Sequence, residues 1–386
     1  NADQISQDPS SSNLIGIDNE GNTVNMLLWE HTLIDDTNLG KVGTYGLNDK
    51  NGLDGSGTAG RSAGYIGNYT GDGKIIGTVP AYISEDGGNT YISITSMAHT
   101  FYNCDELIIA PEIANTVTNM QVTFYQSSNL TTAPAKIPDS VTNTSFTFLD
   151  CNKLNTIPIL GNNIKDMTST FRNTAITVFN ENLSDSVINM QNTFSGCTDL
   201  MEFNAKLPNN VENLDYTFEN CTSLTTVSNI IPDDVKTMEA TFRNCESLTI
   251  VPSIIPNSVI NMANTFYNCT SLVTGPTTIS NNVTNMQSTF YNCESLTTLP
   301  STIPSSVTNM FQTFYGCSKL QGEIEINANI DESIVYEWNG TQYKGYDATF
   351  INTATESSGI TIRNTSTCRE EILNIWVTNN PNITLE

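Results

Sequence analysis

Hydrophobic residues recur along most of this chain with a period close to 24 residues. The pair Thr-Phe marks each copy of the repeat, and its phenylalanines are Phe101, Phe124, Phe148, Phe171, Phe194, Phe218, Phe242, Phe266, Phe290, Phe314 and Phe350. They are 23 or 24 residues apart until the last interval of 36, which equals one period and a 12-residue insertion. Such a fixed period predicts a repeat architecture, in which each copy packs on its neighbours.

Apolar residues also occupy four other positions of each copy, counted from the repeat phenylalanine as position 0. Val or Ile fills position −7 in the first ten copies, Met fills position −4 in eight of eleven, Cys fills position +3 in eight, and Leu fills position +6 in nine. The spacing from Met to Cys (i, i+4, i+7) predicts one or two helical turns. Position +2 is Asn in seven copies and Gly in two, Gly196 and Gly316, which predicts a left-handed backbone where that turn ends.

A short strand and a proline corner complete each copy. Leu-Thr-Thr-Leu-Pro at 296–300 favours a strand that proline ends, and a second proline follows in several copies, at Pro138, Pro232, Pro256 and Pro304. Five buried side chains stabilise one copy by roughly 10 kcal/mol, at ~1.5–3 kcal/mol each. Ordering the backbone costs at least ~1 kcal/mol for each of about 24 residues, so we expect copies to be stable only when stacked.

Two polar positions are almost as regular as the apolar ones. Thr precedes the repeat phenylalanine in all eleven copies, and we expect its hydroxyl to bond a carbonyl one turn earlier or to link adjacent coils. Asn often precedes the Met position and is expected to stack as an amide ladder between coils. These asparagines are Asn119, Asn189, Asn261, Asn285 and Asn309.

The segment before the repeats has a different composition. Residues 1–93 hold 16 of the 24 glycines. We expect residues 1–13 to be disordered and residues 14–93 to form a Gly-rich, β-type N-terminal cap. Short strands are predicted at three apolar patches of this cap, Met26–Trp29, Lys74–Val79 and Tyr91–Ile94.

The repeats are expected to form a solenoid of about ten copies over residues 94–320, followed by a final irregular copy over residues 321–386. That copy contains an aromatic insertion at 336–343, predicted to protrude as a hairpin-like loop with an Asn-Gly turn. A C-terminal capping helix is predicted to begin with a capping box of Thr367 and Glu370 and to stop at Asn380-Pro381. Four residues share one face of this helix, Arg369, Ile372, Leu373 and Trp376.

The repeat sequence Met-x-x-Thr-Phe-Tyr-Asn-Cys-x-Ser-Leu-Thr-Thr-x-Pro-x-x-Ile-Pro-x-Ser-Val resembles the repeats of BspA-like leucine-rich-repeat surface proteins of bacteria. The likeness covers about residues 94–320 and, more loosely, residues 341–385. It implies a right-handed leucine-rich-repeat solenoid that is displayed outside the cell, serves adhesion or ligand binding, and has no catalytic residues. Three stretches depart from the pattern, at 144–146, 174–177 and 201–208.

The predicted fold is therefore an α/β repeat solenoid of ~24-residue copies (short strand, proline turn, short helical turn) with N- and C-terminal caps. The chain of 386 residues carries 40 acidic and 15 basic residues, a net charge of −25, which argues against nucleic acid or an anionic membrane as partner. No stretch approaches the ~20 apolar residues of a membrane-spanning helix. Because the first residue is Asn1, we expect a processed or trimmed chain.

Catalytic and metal-binding motifs are not found in the sequence. Its only histidines, His31 and His99, lie in no zinc-ligand spacing, and neither a phosphate-binding loop nor a hydrolase motif occurs. Asp18-x-Glu20-x-Asn22 and Asp49-x-Asn51 are partly similar to calcium loops but fail the full spacing, so calcium binding there is only the alternative. We therefore predict no enzyme, no cofactor and no metal site.

Eight of the nine cysteines occupy position +3, which is predicted to face the core. Adjacent coils place equivalent Cα atoms ~5 Å apart, within reach of a disulfide, but their side chains run parallel and disfavour the S–S torsion. We interpret them as buried thiols that act as small apolar residues. Disulfides are the alternative, and the odd count leaves at least one thiol unpaired or bonded to another chain.

Two outward-facing surfaces are candidates for binding. Tyr267, Tyr291 and Tyr315 occupy position +1 in successive copies, beside Arg243, and exposed Tyr and Arg are favoured at recognition sites. The alternative is that these rings merely cover the side of the solenoid. The second surface is a Thr-rich strand, suited to a repeating partner such as a glycan, although Thr also simply favours strands. Its threonines are Thr131, Thr225, Thr249 and Thr297.

The sequence thus predicts a non-enzymatic bacterial protein that is secreted or attached to the cell surface. Its expected partner is an extracellular protein or a glycan, bound through many weak contacts on an extended surface. Two alternatives stand beside adhesion: capture of carbohydrate as a nutrient, and a passive structural stalk.

Overall fold

The computed structural model describes residues 15–24, 81–84, 88–89, 91–104, 107–227, 230–298, 300–338, 340–363 and 368–386. The chain divides into two compact units, Asn1–Thr174 and Ala175–Glu386, and each is described by itself. The predictions for residues 1–13, Met26–Trp29 and Lys74–Val79 lie outside the described residues.

The first unit begins with a four-stranded antiparallel sheet. Its strands are β1 (Ile15–Ile17), β2 (Thr23–Val24), β3 (Tyr82–Ser84) and β4 (Ile92–Ser93), in the order β2-β1-β3-β4. Strand β4 confirms the strand predicted at Tyr91–Ile94. The amide of Ile94, which opens the first repeat, donates to the carbonyl of Ala81 at 2.8 Å, so this sheet is hydrogen-bonded to the start of the repeats.

The repeats of each unit stack as parallel coils, as the period predicted. Residues at position −5 form a column of single parallel bridges from coil to coil. In the first unit the column is Ser96, Asn119, Asn143 and Asp166, and in the second unit it is Asn189, Asn213, Thr237, Asn261, Asn285 and Asn309.

The segment from Met to Cys is not helical, and the prediction of a helical turn there is wrong. In the coil of Phe242, residues with positive φ lie on both sides of the phenylalanine, Ala240 at 50° and Asn244 at 58°. Every repeat phenylalanine is flanked in this way at positions −2 and +2. The left-handed backbone predicted at position +2 is therefore confirmed, and position −2 adds a second one.

Backbone hydrogen bonds in this segment alternate between the coil itself and the next coil. The amides of Thr241 and Arg243 donate three residues back, to Met238 at 3.2 Å and Ala240 at 3.1 Å. The amide between them, that of Phe242, instead donates to the carbonyl of Thr265 in the next coil at 2.8 Å. A helix would direct every amide along its own axis. The spacing i, i+4, i+7 arises here from consecutive tight turns that leave alternate amides free to join coils.

The second unit contains several short parallel strands. Strand β5 (Val178–Phe179) pairs with β6 (Glu202–Phe203), and β7 (Thr302–Ile303) pairs with β8 (Gly322–Ile326). In other coils the predicted Thr-rich strand is reduced to a single bridge, such as that of Ile250 to Thr274. Pro252 lies two residues after Ile250, and proline has no amide to extend the ladder.

The insertion forms a hairpin of β9 (Val335–Trp338) and β10 (Thr341–Lys344), which confirms the predicted hairpin. It does not simply protrude. The ring of Tyr336 stacks on Phe311, with centroids 4.6 Å apart, and the hydroxyl of Tyr336 bonds Asn309 at 2.5 Å. The hairpin thus folds back on a preceding coil.

The chain ends with β11 (Ile360–Arg363), helix α1 (Glu370–Asn379) and β12 (Ile383–Leu385), and the sheet order is β12-β11-β8-β7. Ile372, Leu373 and Trp376 of α1 are buried, as predicted, whereas Arg369 is exposed and pairs with Glu332. The helix is capped by Arg369 without a side-chain bond, so it does not start at the predicted capping box. Thr367 of that box lies outside the described residues.

The core consists of columns of identical side chains. All eleven repeat phenylalanines are at most 2% exposed. Their rings stack with centroids 5.1–5.5 Å apart in the first unit and 5.3–5.7 Å apart in the second. Trp376 of α1 packs edge-on against Phe350 and donates its indole N–H to the carbonyl of Tyr346 at 2.9 Å. No helix among the described residues has the length and apolar character to cross a membrane.

Candidate functional site

Position +1 reaches the surface in the coils of Phe266, Phe290 and Phe314, where its side chain is only half-buried. In the second unit it places Tyr267, Tyr291 and Tyr315 in a column, here called the tyrosine column. Their rings are stacked and nearly parallel: the centroids of Tyr267 and Tyr291 are 4.5 Å apart with planes inclined by 1°, and those of Tyr291 and Tyr315 are 4.7 Å apart with planes inclined by 5°. The predicted column is therefore present.

Burial raises the pKa of Tyr291 above its ordinary value, and the neighbouring Tyr267 and Tyr315 add to this effect. All three rings are half-buried. Each inner ring face is covered by the next tyrosine. What the column offers to a partner is a strip of ring edges and neutral phenol hydroxyls, which can both donate and accept hydrogen bonds.

Arg243 lies at one end of the tyrosine column, as the sequence predicted. Its guanidinium carbon is 5.1 Å from the centroid of the Tyr267 ring, within the range of a cation–π contact. The same guanidinium is 3.7 Å from the carboxylate of Glu219 in the preceding coil. The positive charge is thus held between a ring face and a carboxylate, so the arginine is fixed in place beside the tyrosines.

The hydroxyls of the threonine surface form hydrogen bonds between coils, a structural role beyond the binding surface that the sequence predicted. The hydroxyls of Thr225 and Thr297 donate to carbonyls of the preceding coil, Met201 at 3.0 Å and Val273 at 3.2 Å. Thr131 of the first unit does the same to Ile108 at 3.1 Å. Thr249 is exposed at the equivalent position. Since these hydroxyl hydrogens link coils, only the oxygen lone pairs are left for a glycan or another partner.

A polar cluster beside the tyrosine column was missed by sequence reasoning. Asp215 accepts hydrogen bonds from the Thr237 hydroxyl at 2.5 Å and the Glu239 amide at 2.7 Å, and burial raises its pKa. Glu239 accepts a bond from the Tyr216 hydroxyl at 2.6 Å, which, with burial, raises the pKa of that phenol to about 12. Position −3 is acidic in only three of the eleven copies, at Asp215, Glu239 and Asp347, so no column in the sequence indicated this cluster.

The polar columns of the repeat hold the backbone that carries these surfaces. The Thr265 hydroxyl donates to the carbonyl of Met262 in its own coil at 2.7 Å and to that of Met238 in the preceding coil at 2.9 Å, so both roles predicted for this threonine occur. The Asn285 side chain mainly accepts the amide two residues on, at 3.1 Å. The amide ladder predicted for these asparagines occurs between Asn309 and Asn285 at 2.8 Å.

Among the described residues, no group of three or more His, Cys, Asp or Glu side chains is arranged to hold a metal ion. The Asp18 carboxylate accepts the backbone amides of Glu20 and Asn22, at 3.0 and 2.7 Å, and so closes its own turn. These hydrogen bonds lower the pKa of Asp18, against the effect of burial, which is the largest single influence and raises it.

One protein family matches this chain: the BspA type leucine rich repeat region, in six copies, over residues 88–201, 169–285 and 239–344. Among curated proteins, none matches the chain.

Three solved structures of bacterial proteins are similar to this chain. A leucine-rich repeat protein from Bacteroides ovatus is 17% identical, and the match covers 81% of this chain and 91% of that one, with a TM-score of 0.35. A leucine rich cell surface protein from Faecalibacterium prausnitzii is 19% identical, covering 80% and 92%, with a TM-score of 0.41. The pneumococcal vaccine antigen PcpA is 14% identical, covering 83% and 90%, with a TM-score of 0.37.

Proposed function

Because this chain belongs to the BspA type leucine rich repeat family, we propose that it is a non-enzymatic binding protein that acts outside the bacterial cell, either secreted or attached to the surface. It presents a repeated surface to an extracellular protein, and adhesion is the result. The observation that carries the proposal is the tyrosine column, in which Arg243 and three outward-facing tyrosines lie at a spacing set by the coils.

The backbone keeps this surface rigid before a partner arrives. In the coil of Tyr291, the tyrosine amide donates to Ser288 at 3.2 Å, and the next amide, that of Asn292, donates to Tyr315 of the following coil at 2.7 Å. Each tyrosine is therefore fixed to its own coil and to its neighbour. A surface that is already ordered loses little conformational entropy on binding, so more of the contact energy remains as affinity.

A protein partner fits the tyrosine column better than a glycan does. Sugars commonly pack on the open face of an aromatic ring, but the inner faces of Tyr267, Tyr291 and Tyr315 are covered by one another. Tyrosine and arginine edges and hydroxyls are the groups that dominate protein interfaces. Several such contacts at coil spacing then act together, so weak single contacts give a stable attachment.

The test is binding of the purified full chain to a panel of extracellular matrix proteins and to a polysaccharide array, measured by biolayer interferometry. We expect binding to at least one protein, and a loss of about tenfold or more in affinity, ~1.4 kcal/mol, for Tyr291→Ala. Tyr291→Phe is the matched control that keeps the ring stack and removes the hydroxyl. Binding to polysaccharides alone would favour nutrient capture, and silence on both panels would favour a structural stalk.

A further inference from the structure

A cavity of about 250 Å³ opens on the surface of the first unit, where three successive coils meet. Each coil contributes one residue from position −2 and one from position +1. The lining residues are His99, Tyr102, Val122, Tyr125, Phe146 and Leu149. In each coil the two positions are joined by a turn, such as the one closed by the Tyr125 amide on the Val122 carbonyl at 3.4 Å. The cavity therefore lies between one row of −2 side chains and one row of +1 side chains.

The backbone at this cavity adopts an unfavourable conformation. Val122 has a φ of 60° and Phe146 a φ of 58°. A left-handed backbone suits Gly or Asn, whereas a β-branched or bulky side chain is strained there. In the second unit the same position holds residues that suit this backbone, Asn192 and Asn264, but also the bulky Tyr216, with a φ of 57°. In the first unit the two bulky apolar side chains in this conformation, Val122 and Phe146, both line the cavity. Strained residues of this kind concentrate at ligand-binding sites.

The aromatic rings here are arranged differently from those of the tyrosine column. The centroids of Tyr102 and Tyr125 are 5.4 Å apart and their planes are inclined by 48°, against 1° for Tyr267 and Tyr291. His99 meets Tyr102 edge-on, with planes inclined by 69°. Tilted rings cover each other less than parallel rings do, so this site leaves more of each ring face to an incoming group than the tyrosine column does.

The volume and the lining of the cavity restrict which chemical group can bind there. A dry apolar cavity of about 150 Å³ admits a benzene ring, and pockets that enclose a drug-sized ligand measure about 300–1,000 Å³. A volume of about 250 Å³ therefore fits a single large side chain. Aromatic walls favour an aromatic guest through edge-to-face contacts. The few polar groups, two phenols and an imidazole, suit one indole N–H better than the many hydroxyls of a sugar.

The charge of the chain restricts the partner that carries this side chain. With a net charge of −25, the protein repels acidic partners over long range and attracts basic ones. Resting on the function proposed above, we propose that the cavity is an anchoring pocket for one aromatic side chain, a tryptophan, on a neutral or basic segment of the protein partner.

The first test uses the full chain and N-acetyl-L-tryptophanamide as a probe, followed by saturation-transfer NMR of the probe. We expect the wild type to bind the probe. The affinity for the probe should fall at least fivefold in Val122→Asn and in Phe146→Asn. Both variants should melt at the same or a higher temperature, because Asn tolerates the left-handed backbone better than Val or Phe. Gln312→Asn, at position −2 of the second unit, is the matched control and should bind like the wild type.

Several outcomes would overturn the pocket. These are no binding of the probe by the wild type, unchanged binding by both variants, or binding of methyl β-D-glucopyranoside in place of the probe. If Phe146→Asn does not fold, Leu149→Gln replaces it. This variant changes a cavity residue at position +1, where the backbone is not strained, and should also lose affinity for the probe.

A second test separates this inference from the proposed function. The protein partner found in the binding panel is measured against Phe146→Asn and Tyr291→Ala. Loss of partner affinity with Phe146→Asn supports the pocket. If the wild type binds a protein and Phe146→Asn binds it equally well, the pocket is wrong and the proposed function stands. If the probe binds but no protein does, the pocket is a site for a free aromatic ligand and the inference about a partner side chain is overturned.

Discussion

The thiol of Cys245 donates a hydrogen bond to the carbonyl oxygen of Phe218, in the preceding coil, at 3.1 Å. The same contact, at position +3, recurs in neighbouring coils at 3.0–3.1 Å. Ser127 and Thr353, which replace the cysteine in two coils, donate their hydroxyls to the equivalent carbonyls of the preceding coil at 2.7 and 2.6 Å, whereas Thr174 donates to Phe171 of its own coil at 2.8 Å. Cys, Ser and Thr therefore exchange at this position because each is a small buried donor.

Replacing this donor should reveal its contribution to stability. We expect Cys245→Ala to lower the free energy of unfolding by about 1 kcal/mol, because it removes one of the two hydrogen bonds to the Phe218 carbonyl, which still accepts the amide of Cys221 at 3.1 Å. Cys245→Ser keeps a donor and should lose less. Urea denaturation of the two variants measures the difference. Equal losses for Ala and Ser would show that the thiol acts only as a small apolar group.

Burial also affects the chemistry of the thiols. It raises the pKa of Cys221, Cys245 and Cys293 far above the ordinary value. Of the nine free cysteines, Cys104 is half-buried and the others are buried. The predicted burial of the cysteine column is thus confirmed for all its members except Cys104. Since the thiolate is the reactive form, we expect the buried thiols to resist alkylation in the folded protein.

The left-handed residue at position +2 gives a second prediction. Asn268 has a φ of 58°, and Gly316 occupies the equivalent place with a φ of 72°. Asn268→Gly should therefore fold with nearly unchanged stability. Asn268→Val should lose about 1–2 kcal/mol, because its β-branched side chain clashes with the left-handed backbone that Asn tolerates. Thermal unfolding of the pair measures the contrast, and equal stability for Gly and Val would contradict the left-handed turn.

The left-handed backbone at position +2 could be predicted from the sequence, whereas that at position −2 could not. The reason is physical. Asn and Gly dominate position +2, and both are known for positive φ. Position −2 holds residues as different as His99, Val122 and Tyr216, so no residue type there indicates its backbone. Without that second left-handed residue, the spacing from Met to Cys predicts a helix. The tyrosine column follows from one repeated residue type, whereas the cavity depends on position −2, where His99, Val122 and Phe146 differ from coil to coil.

A hydrogen bond between two adjacent corners, at Asp185 and at Asn209 after Pro208, gives a prediction for acidic pH. Asp185 accepts the backbone amide of Asn209 at 2.7 Å and its side-chain amide at 2.8 Å. The backbone hydrogen bond is the main cause that lowers the pKa of Asp185 below its ordinary value of 3.8. A lowered pKa in the folded state means that the unfolded chain binds the proton more readily. The contribution of Asp185 to stability is therefore complete above pH 3.8 and is lost as the pH falls through the folded-state pKa.

Asp185→Asn removes this titration while keeping the shape of the side chain. We expect the variant to be less stable than the wild type above pH 4, with the difference shrinking as the pH drops towards about 2. Urea denaturation of both proteins at a series of pH values measures this difference in the free energy of unfolding. Parallel stability profiles for the two proteins would show that the carboxylate makes no net contribution in this corner.

Phe290 and Tyr291 are consecutive residues with opposite environments, and they separate stability from binding. Phe290 is 1% exposed and its ring stacks between Phe266 and Phe314, with centroids 5.4 and 5.5 Å away. We expect Phe290→Ala to lower the free energy of unfolding by about 3–5 kcal/mol, because it opens a gap in the phenylalanine column that the neighbouring coils, tied by backbone ladders, cannot close. Tyr291→Ala removes a half-buried ring and should leave the melting temperature nearly unchanged. Differential scanning calorimetry compares the two, with Phe290→Leu as the control that fills most of the gap. A large loss for Tyr291→Ala would mean that the tyrosine column is a structural element, and its role in recognition would then have to be tested by Tyr291→Phe alone.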